Sequence, residues 1–265
     1  MECLTFDNKD LGMILQSEFS RVQLNQAKEI NASEFYPEKD TFPYWFLKNV
    51  PGLESLVFQW SSFTETFQVE KRMSREKEIQ ISPRLRELTL AYLDKLQYIC
   101  KEGFKMDPIL HFIESINVDH CSNLIMLVPS SVTFSYLTYL EVTHCNGLVN
   151  LITSSTAKSL VNLTTMKIKM CNLLEDIVNG EDETNEIDFF SLQSLELISL
   201  PRLCRFCSCP CPVKFPLLEL VVVKECPRME LFSFGVTNTP NLQNVQIEEN
   251  DEENHWHSDL KQGKM

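Results

Sequence analysis

Leu137–Ile152 reads LTYLEVTHCNGLVNLI, and 26 residues further on Leu163–Val178 reads LTTMKIKMCNLLEDIV. Both follow one frame: apolar, two free, apolar, one free, apolar, two free, Cys, two free, Leu, two free, apolar. With the third apolar position as an anchor, the frame recurs at Leu24, Phe58, Leu90, Val118, Val142, Ile168, Leu197, Val223 and Ile247. The spacings are 34, 32, 28, 24, 26, 29, 26 and 24 residues, the period of a stacked-repeat architecture. From Leu90 to Val223 every frame position of every repeat is apolar or Cys, against a hydrophobic background of 43%. The outer repeats are looser. Ser61 and Thr64 interrupt the second, and Asn250 and Glu253 interrupt the last.

The frame has a physical meaning. Apolar–free–apolar is period 2, a short strand with one buried face. Leu140 and Val142 therefore point inward, while Tyr139, Glu141 and Thr143 point out. Cys121, Cys145, Cys171 and Cys226 stand three residues past their anchors, where the strand ends and the chain turns into the interior. A small side chain with a weak donor suits that corner, and Leu93 and Leu200 take the same place in two repeats. Pro51, Pro83, Pro216 and Pro240 each precede the first apolar position by two residues, fixing an extended approach. TSSTAKSLVNL from Thr153 reads as a short capped helix. VNGEDETNEID from Val178 reads as a charged bulge, and residues 61–82 as a long polar return. One repeat cannot bury its own apolar face, but a stack can. The expectation is an α/β solenoid, with a curved parallel sheet on the concave face and irregular loops and short helices on the convex face. Residues 1–50 form an irregular N-terminal repeat or cap, 51–250 the repeats, and 251–265 a C-terminal tail.

Composition narrows the function classes. The 265 residues carry 24 Lys+Arg against 37 Asp+Glu, a net charge of −13. Such a balance repels phosphate backbones and disfavours nucleic acid. There is no basic amphipathic run for a membrane surface, and no apolar run of the roughly 18 residues that a spanning helix needs. The acidic start MECLTFDNKD lacks the basic region of a secretory leader. The reading is a soluble, cytoplasmic chain whose ten Cys are reduced thiols.

By this point the residues resemble a known family. The run LTYLEVTHCNGLVNLITSSTAKSLVNLTTMKIKMCNLLEDIV resembles the C-terminal leucine-rich-repeat region of plant coiled-coil-type nucleotide-binding disease-resistance proteins. An acidic bulge, FFSLQSLELISLPRL, KFPLLELVVVKECPRMELF and the terminal ENHWHSDL continue in that family's order. The resemblance covers Phe42 to Leu260. It implies a non-catalytic, cofactor-free recognition and regulatory domain of an innate immune receptor. Its partner would be a protein: a pathogen effector, a guarded host protein, or the receptor's own nucleotide-binding module. The sequence holds no G-x-x-x-x-G-K-S/T loop, and Gly263–Lys264 cannot open a helix over phosphates. This predicts that nucleotide switching lies off this chain, in a repeat-only relative or a fragment. The alternative is a free-standing scaffold or adaptor unrelated to immunity.

Several motifs compete with that reading. CRFCSCPC (Cys204, Cys207, Cys209, Cys211) packs four thiols together, as a zinc site would. Zinc sites split their pairs across a longer loop, however, and Pro210 and Pro212 stiffen this run, so it reads as a variable convex return. The Cys121–Cys145–Cys171–Cys226 column reads as buried structural thiols. His120 and His144 each precede a column Cys, but adjacent side chains point apart, so a Cys–His nucleophile is not expected. HWH at 255–257 reads as a cap in which Trp256 covers the last repeat. No catalytic, cofactor or metal residue is assigned.

The functional candidate is the outward column. Its middle row is Val57, Thr89, Asn117, Glu141, Lys167, Glu196, Val222 and Gln246, flanked by Asp119, Tyr139, Thr143, Thr165, Lys169 and Lys224. Parallel strands set these side by side on the concave face, and their mixed charge suits a polar protein surface. The face assignment makes a sharp contrast. Leu195→Asp should cost several kcal/mol, whereas Glu196→Ala should fall within about ±0.5 kcal/mol if Glu196 is only a surface residue.

Overall fold

The structure, a computed structural model, describes residues 3–6, 26–36, 41–43, 47, 50–68, 84–100, 110–180, 186–247, 256 and 260. A ten-stranded sheet runs through it, each strand parallel to the next in chain order. Its strands are Cys3–Phe6, Glu29–Ser33, Ser55–Gln59, Glu87–Ala91, Ser115–Asp119, Tyr139–Thr143, Thr165–Lys169, Ser194–Ile198, Leu220–Lys224 and Asn244–Gln246. No helix among the described residues is long and apolar enough to cross a membrane.

The register is set by the anchors. Phe58 pairs with Leu90, Leu90 with Val118, Val118 with Val142, Val142 with Ile168, Ile168 with Leu197 and Leu197 with Val223. All seven are buried in one continuous core. A one-residue slip would expose that whole row, so the register is strongly specified. The first anchor differs from the sequence expectation. Leu24 lies outside the described residues, and it is Ala32 that pairs with Phe58 and, on its other side, with Phe6. EINAS hides this strand because its second inward residue is alanine, a weak apolar signal. Asn250 and Glu253 of the last repeat also lie outside the described residues.

The corner after each strand has a cause the frame did not show. Glu34, Trp60, Tyr92, His120, His144, Met170, Ser199 and Glu225, each two residues past an anchor, adopt φ between 51° and 55°. This left-handed step swings the next residue inward. The step is held by the neighbouring turn. The His120 amide donates to the Thr143 carbonyl (3.0 Å), His144 to Lys169 (3.1 Å) and Met170 to Ile198 (2.9 Å). The buried thiol that follows has carbonyls on two sides. For Cys145, Cys171 and Cys226 the sulfur lies 3.3 Å from the carbonyl two residues back. It also faces the previous anchor's carbonyl, at 3.9 Å, 4.0 Å and 3.7 Å respectively. Ser61 does not interrupt the pattern after all. Its hydroxyl donates to the Gln59 carbonyl and accepts from the Phe35 amide, both at 2.9 Å, so a hydroxyl satisfies the corner as a thiol does.

The left-handed column carries a prediction. Met170 is 43% exposed, so its side chain is free to change while its backbone is not. Met170→Val places a β-branched residue at positive φ and is expected to cost about 1–2 kcal/mol, whereas Met170→Asn is expected to be near neutral. Urea unfolding of the two variants measures the difference; equal midpoints would contradict the left-handed assignment.

The convex side is more regular than expected. Asn150–Thr153, Asp176–Asn179 and Arg205–Cys207 form a second parallel ladder. Ile187–Asp188, Val213–Lys214 and Thr237–Asn238 form a third, and Thr41–Pro43 pairs with Glu65–Gln68 inside the supposed polar return. Residues 69–82 of that return, Pro83, and 181–185 of the acidic bulge lie outside the described residues. The expected helix is present at Ser154–Ser159. Thr153 caps it, accepting from the Thr156 amide at 3.2 Å. Between the ladders Phe189, Phe206, Phe215 and Phe232 interleave. Phe189 stacks on Phe215 and Phe206 on Phe232 at 5.1 Å each, and the two pairs meet edge to face. Offset and edge-on contacts suit the ring quadrupole. Trp256 is buried in the core, and the Thr239 hydroxyl donates to the Leu260 carbonyl (2.5 Å).

CRFCSCPC is therefore more regular than the loop expected of a convex return. Arg205–Cys207 is a strand, and Cys207, Cys209 and Cys211 are buried. Alternation sends Cys207, Cys209 and Cys211 to the same side, where small apolar thiols fill the narrow convex interior. Burial first, and the adjacent Cys209 sulfur second, push the Cys207 thiol up from its ordinary value. The Cys204 thiol faces the Arg202 carbonyl at 3.4 Å.

Candidate functional site

The outward residues lie in rows across the sheet. Asn117 faces Glu141, Glu141 faces Lys167, Lys167 faces Glu196, Glu196 faces Val222 and Val222 faces Gln246. A second row runs Asp119, Thr143, Lys169, Ile198, Lys224, and a third runs Ser115, Tyr139, Thr165, Ser194, Leu220, Asn244. The sequence reading thus assembled one continuous face and left out the outward residues Ser115, Ser194, Ile198, Leu220 and Asn244. Alternation alone would have included them. Val222 differs from its row: it is only 7% exposed, in a strand whose three central residues are all buried. It packs the floor of the face and offers little area to a partner.

The charged strip in the centre is internally paired. Lys167 Nζ lies 3.1 Å from Glu196 Oε1, and Lys169 Nζ lies 3.2 Å from Glu196 Oε2 and 3.5 Å from Glu141 Oε1. Tyr139 donates its hydroxyl to Glu141 Oε2 at 2.5 Å. Burial by itself would raise the Glu196 carboxyl, but hydrogen bonds from Lys167 and Lys169 and their charge outweigh it and hold the group below its ordinary value. Burial, then the bond to Glu141 and its charge, push the Tyr139 phenol up to about 12, so it remains a donor at neutral pH. Glu196, with its pKa lowered, stabilises the folded state above the ordinary glutamate range, near 4.3, and loses that contribution as pH falls through its folded value.

The left-handed column forms one rim of this face. Trp60 stacks on Tyr92 (3.9 Å between centroids), Tyr92 on His120 (4.6 Å) and His120 on His144 (4.0 Å). The two histidines face outward while Cys121 and Cys145 behind them are buried, so the Cys–His pairs do not meet. Sequence reasoning missed this ladder because its residue types share no pattern; only their common offset from the anchors connects them.

Residues 2–135 and 131–251 match the family described as plant disease resistance protein RPS2-like, leucine-rich repeats. The chain belongs to this family. The match spans the repeats on both sides of the central strands, and the parallel register, the inward anchors and the interior corner residue are its leucine-rich-repeat frame in three dimensions. The search of curated proteins found no match. Trp256 and Leu260 are buried; His255 and His257 lie outside the described residues.

Proposed function

We propose that this chain is a non-catalytic, cytoplasmic recognition and regulatory leucine-rich-repeat domain of a plant disease-resistance receptor. It docks a protein on its concave face, and nucleotide switching is carried elsewhere. One observation carries the reading: an in-register, ten-strand parallel sheet presents three outward rows across a single surface. A partner spanning several strands meets preset side chains and so loses little entropy in ordering them. Ten cysteines, most of them buried and none in a disulfide, suit a reducing compartment. The docked surface is a pathogen effector, a guarded host protein or the receptor's own nucleotide-binding module. Asn117, Asp119, Tyr139, Glu141, Thr143, Thr165, Lys167, Lys169, Glu196, Lys224 and Gln246 are its proposed contacts, over Val222 as floor.

The test is positional. Photo-crosslinking side chains are placed at Asn117, Thr165 and Gln246 on the concave face and at Ser208 on the convex face, in protein expressed in plant cells. Protein crosslinks are expected from the three concave positions only, and Lys224→Glu should reduce them several-fold without lowering the melting temperature. Equal crosslinking from Ser208, or indifference to Lys224→Glu, would refute concave docking.

A further inference from the structure

We propose that Asp119, His120 and His144 form an open binding site for a divalent transition-metal ion of the zinc or cobalt type on the rim of the concave face. The three come from two successive turns. Asp119 ends one strand, His120 is its left-handed corner residue, and His144 is the corresponding corner one turn on. Asp119 Oδ1 lies 2.9 Å from His120 Nδ1 and 3.3 Å from His144 Nδ1. All three ligand atoms fall within 4.8 Å of one another, and no other such group occurs among the described residues. Metal–nitrogen and metal–oxygen bonds of about 2.0–2.1 Å set tetrahedral ligand atoms roughly 3.4 Å apart, close to these separations.

A second observation concerns the approach of the two groups. His120 Nδ1 is itself shielded from solvent, and Asp119 Oδ1 lies 2.9 Å from it without the alignment of a hydrogen bond. A cation between the imidazole and the carboxylate would engage both. The donor set, two imidazoles and a carboxylate, is the one that zinc, cobalt, nickel and copper accept and that calcium and magnesium avoid. The rings are stacked at an interplanar angle of 21°, so binding requires each to turn about its soft χ2 to bring its lone pair onto the common point. The side chains are 30–39% exposed, which leaves the remaining coordination positions to water on the concave side. Cys121 and Cys145 point away into the core.

The experiment uses the full chain, reduced and stripped with chelator, titrated with Co²⁺ and then with Zn²⁺. One equivalent of Co²⁺ should bind with ligand-field bands and no thiolate-to-cobalt charge-transfer band, and Zn²⁺ should displace it. His144→Ala and Asp119→Asn should each weaken binding by at least the roughly tenfold that loss of even an outer-shell partner costs. His120→Asn, which tolerates the left-handed corner, should do the same with an unchanged melt. His111→Ala should have no effect. A charge-transfer band, which would place the ion on the cysteines, or binding that survives His144→Ala and His120→Asn in folded protein, overturns the proposal.

Discussion

Leu195→Asp is expected to destroy the cooperative fold of the C-terminal half of the solenoid. Leu195 is fully buried, and its strand pairs register it between Met166 on one side and Val221 on the other, both also buried. Removing the leucine forfeits about 1.5–3 kcal/mol of apolar burial. The aspartate left in its place faces the apolar core in which Leu195 is buried, and an unpaired buried charge adds several kcal/mol. The sum exceeds about 4 kcal/mol, a large share of the 5–15 kcal/mol that holds a typical domain. Because each turn is stable only against its neighbours, the damage reaches the turns on both sides. Urea denaturation should show a lost or strongly shifted transition; a midpoint within error of the parent would mean that Leu195 does not face the core. The neighbouring Glu196→Ala is no longer expected to be silent. Glu196 is shared between Lys167 and Lys169, so its loss leaves Lys167 without that partner and Lys169 with Glu141 alone, two partly buried ammonium groups side by side on one strand. About 1 kcal/mol is expected, the upper end for partly exposed pairs.

Gly235→Ala should be nearly as damaging, for a steric reason. A Cβ at this position would lie 1.9 Å from the Cys211 carbonyl oxygen, 2.4 Å from its carbon and 3.0 Å from Pro212 N. These are backbone atoms, and Pro212 cannot rotate its φ away. Relief requires one convex segment to move, which breaks the rung in which the Val213 amide donates to Val236 at 2.9 Å. Overpacking of this kind costs about 3 kcal/mol or somewhat more once the rung is lost. For a chain of this size that corresponds to a fall of roughly 6–12 °C in Tm. Hydrogen exchange gives a local check. Amides around Val213 and Thr237 should lose protection while Tyr139–Thr143 keeps it; a stability change under about 0.5 kcal/mol would contradict the close approach.

How much of this was legible beforehand follows from which interactions are local. Period-2 alternation, repeated at 24–34 residues, is written in the chain itself. It located the strands from Ser55–Gln59 to Leu220–Lys224 and the inward Cys column. Thr153 announced its helix through a cap that acts within three residues. Where the signal weakened, the reading drifted. Ala32 is too small to mark an anchor, and residues 61–82 concealed the short strand Glu65–Gln68 behind polar letters.

Contacts between turns decided the rest. Seven of the eight left-handed corners, Glu34 to Ser199, are fixed by an amide reaching the next strand's carbonyl, so positions of unrelated side chain share one backbone state. Cys207, Cys209 and Cys211 looked like a loop until a neighbouring ladder paired with Arg205–Cys207 and buried them. Glu196 with its two lysines, and Asp119 with its two histidines, depend on which residue of one turn meets which residue of the next. Alternation is a property of a single strand and can be read from one. The spacing between charges on different strands is set by stacking, and stacking exists only once the chain has folded.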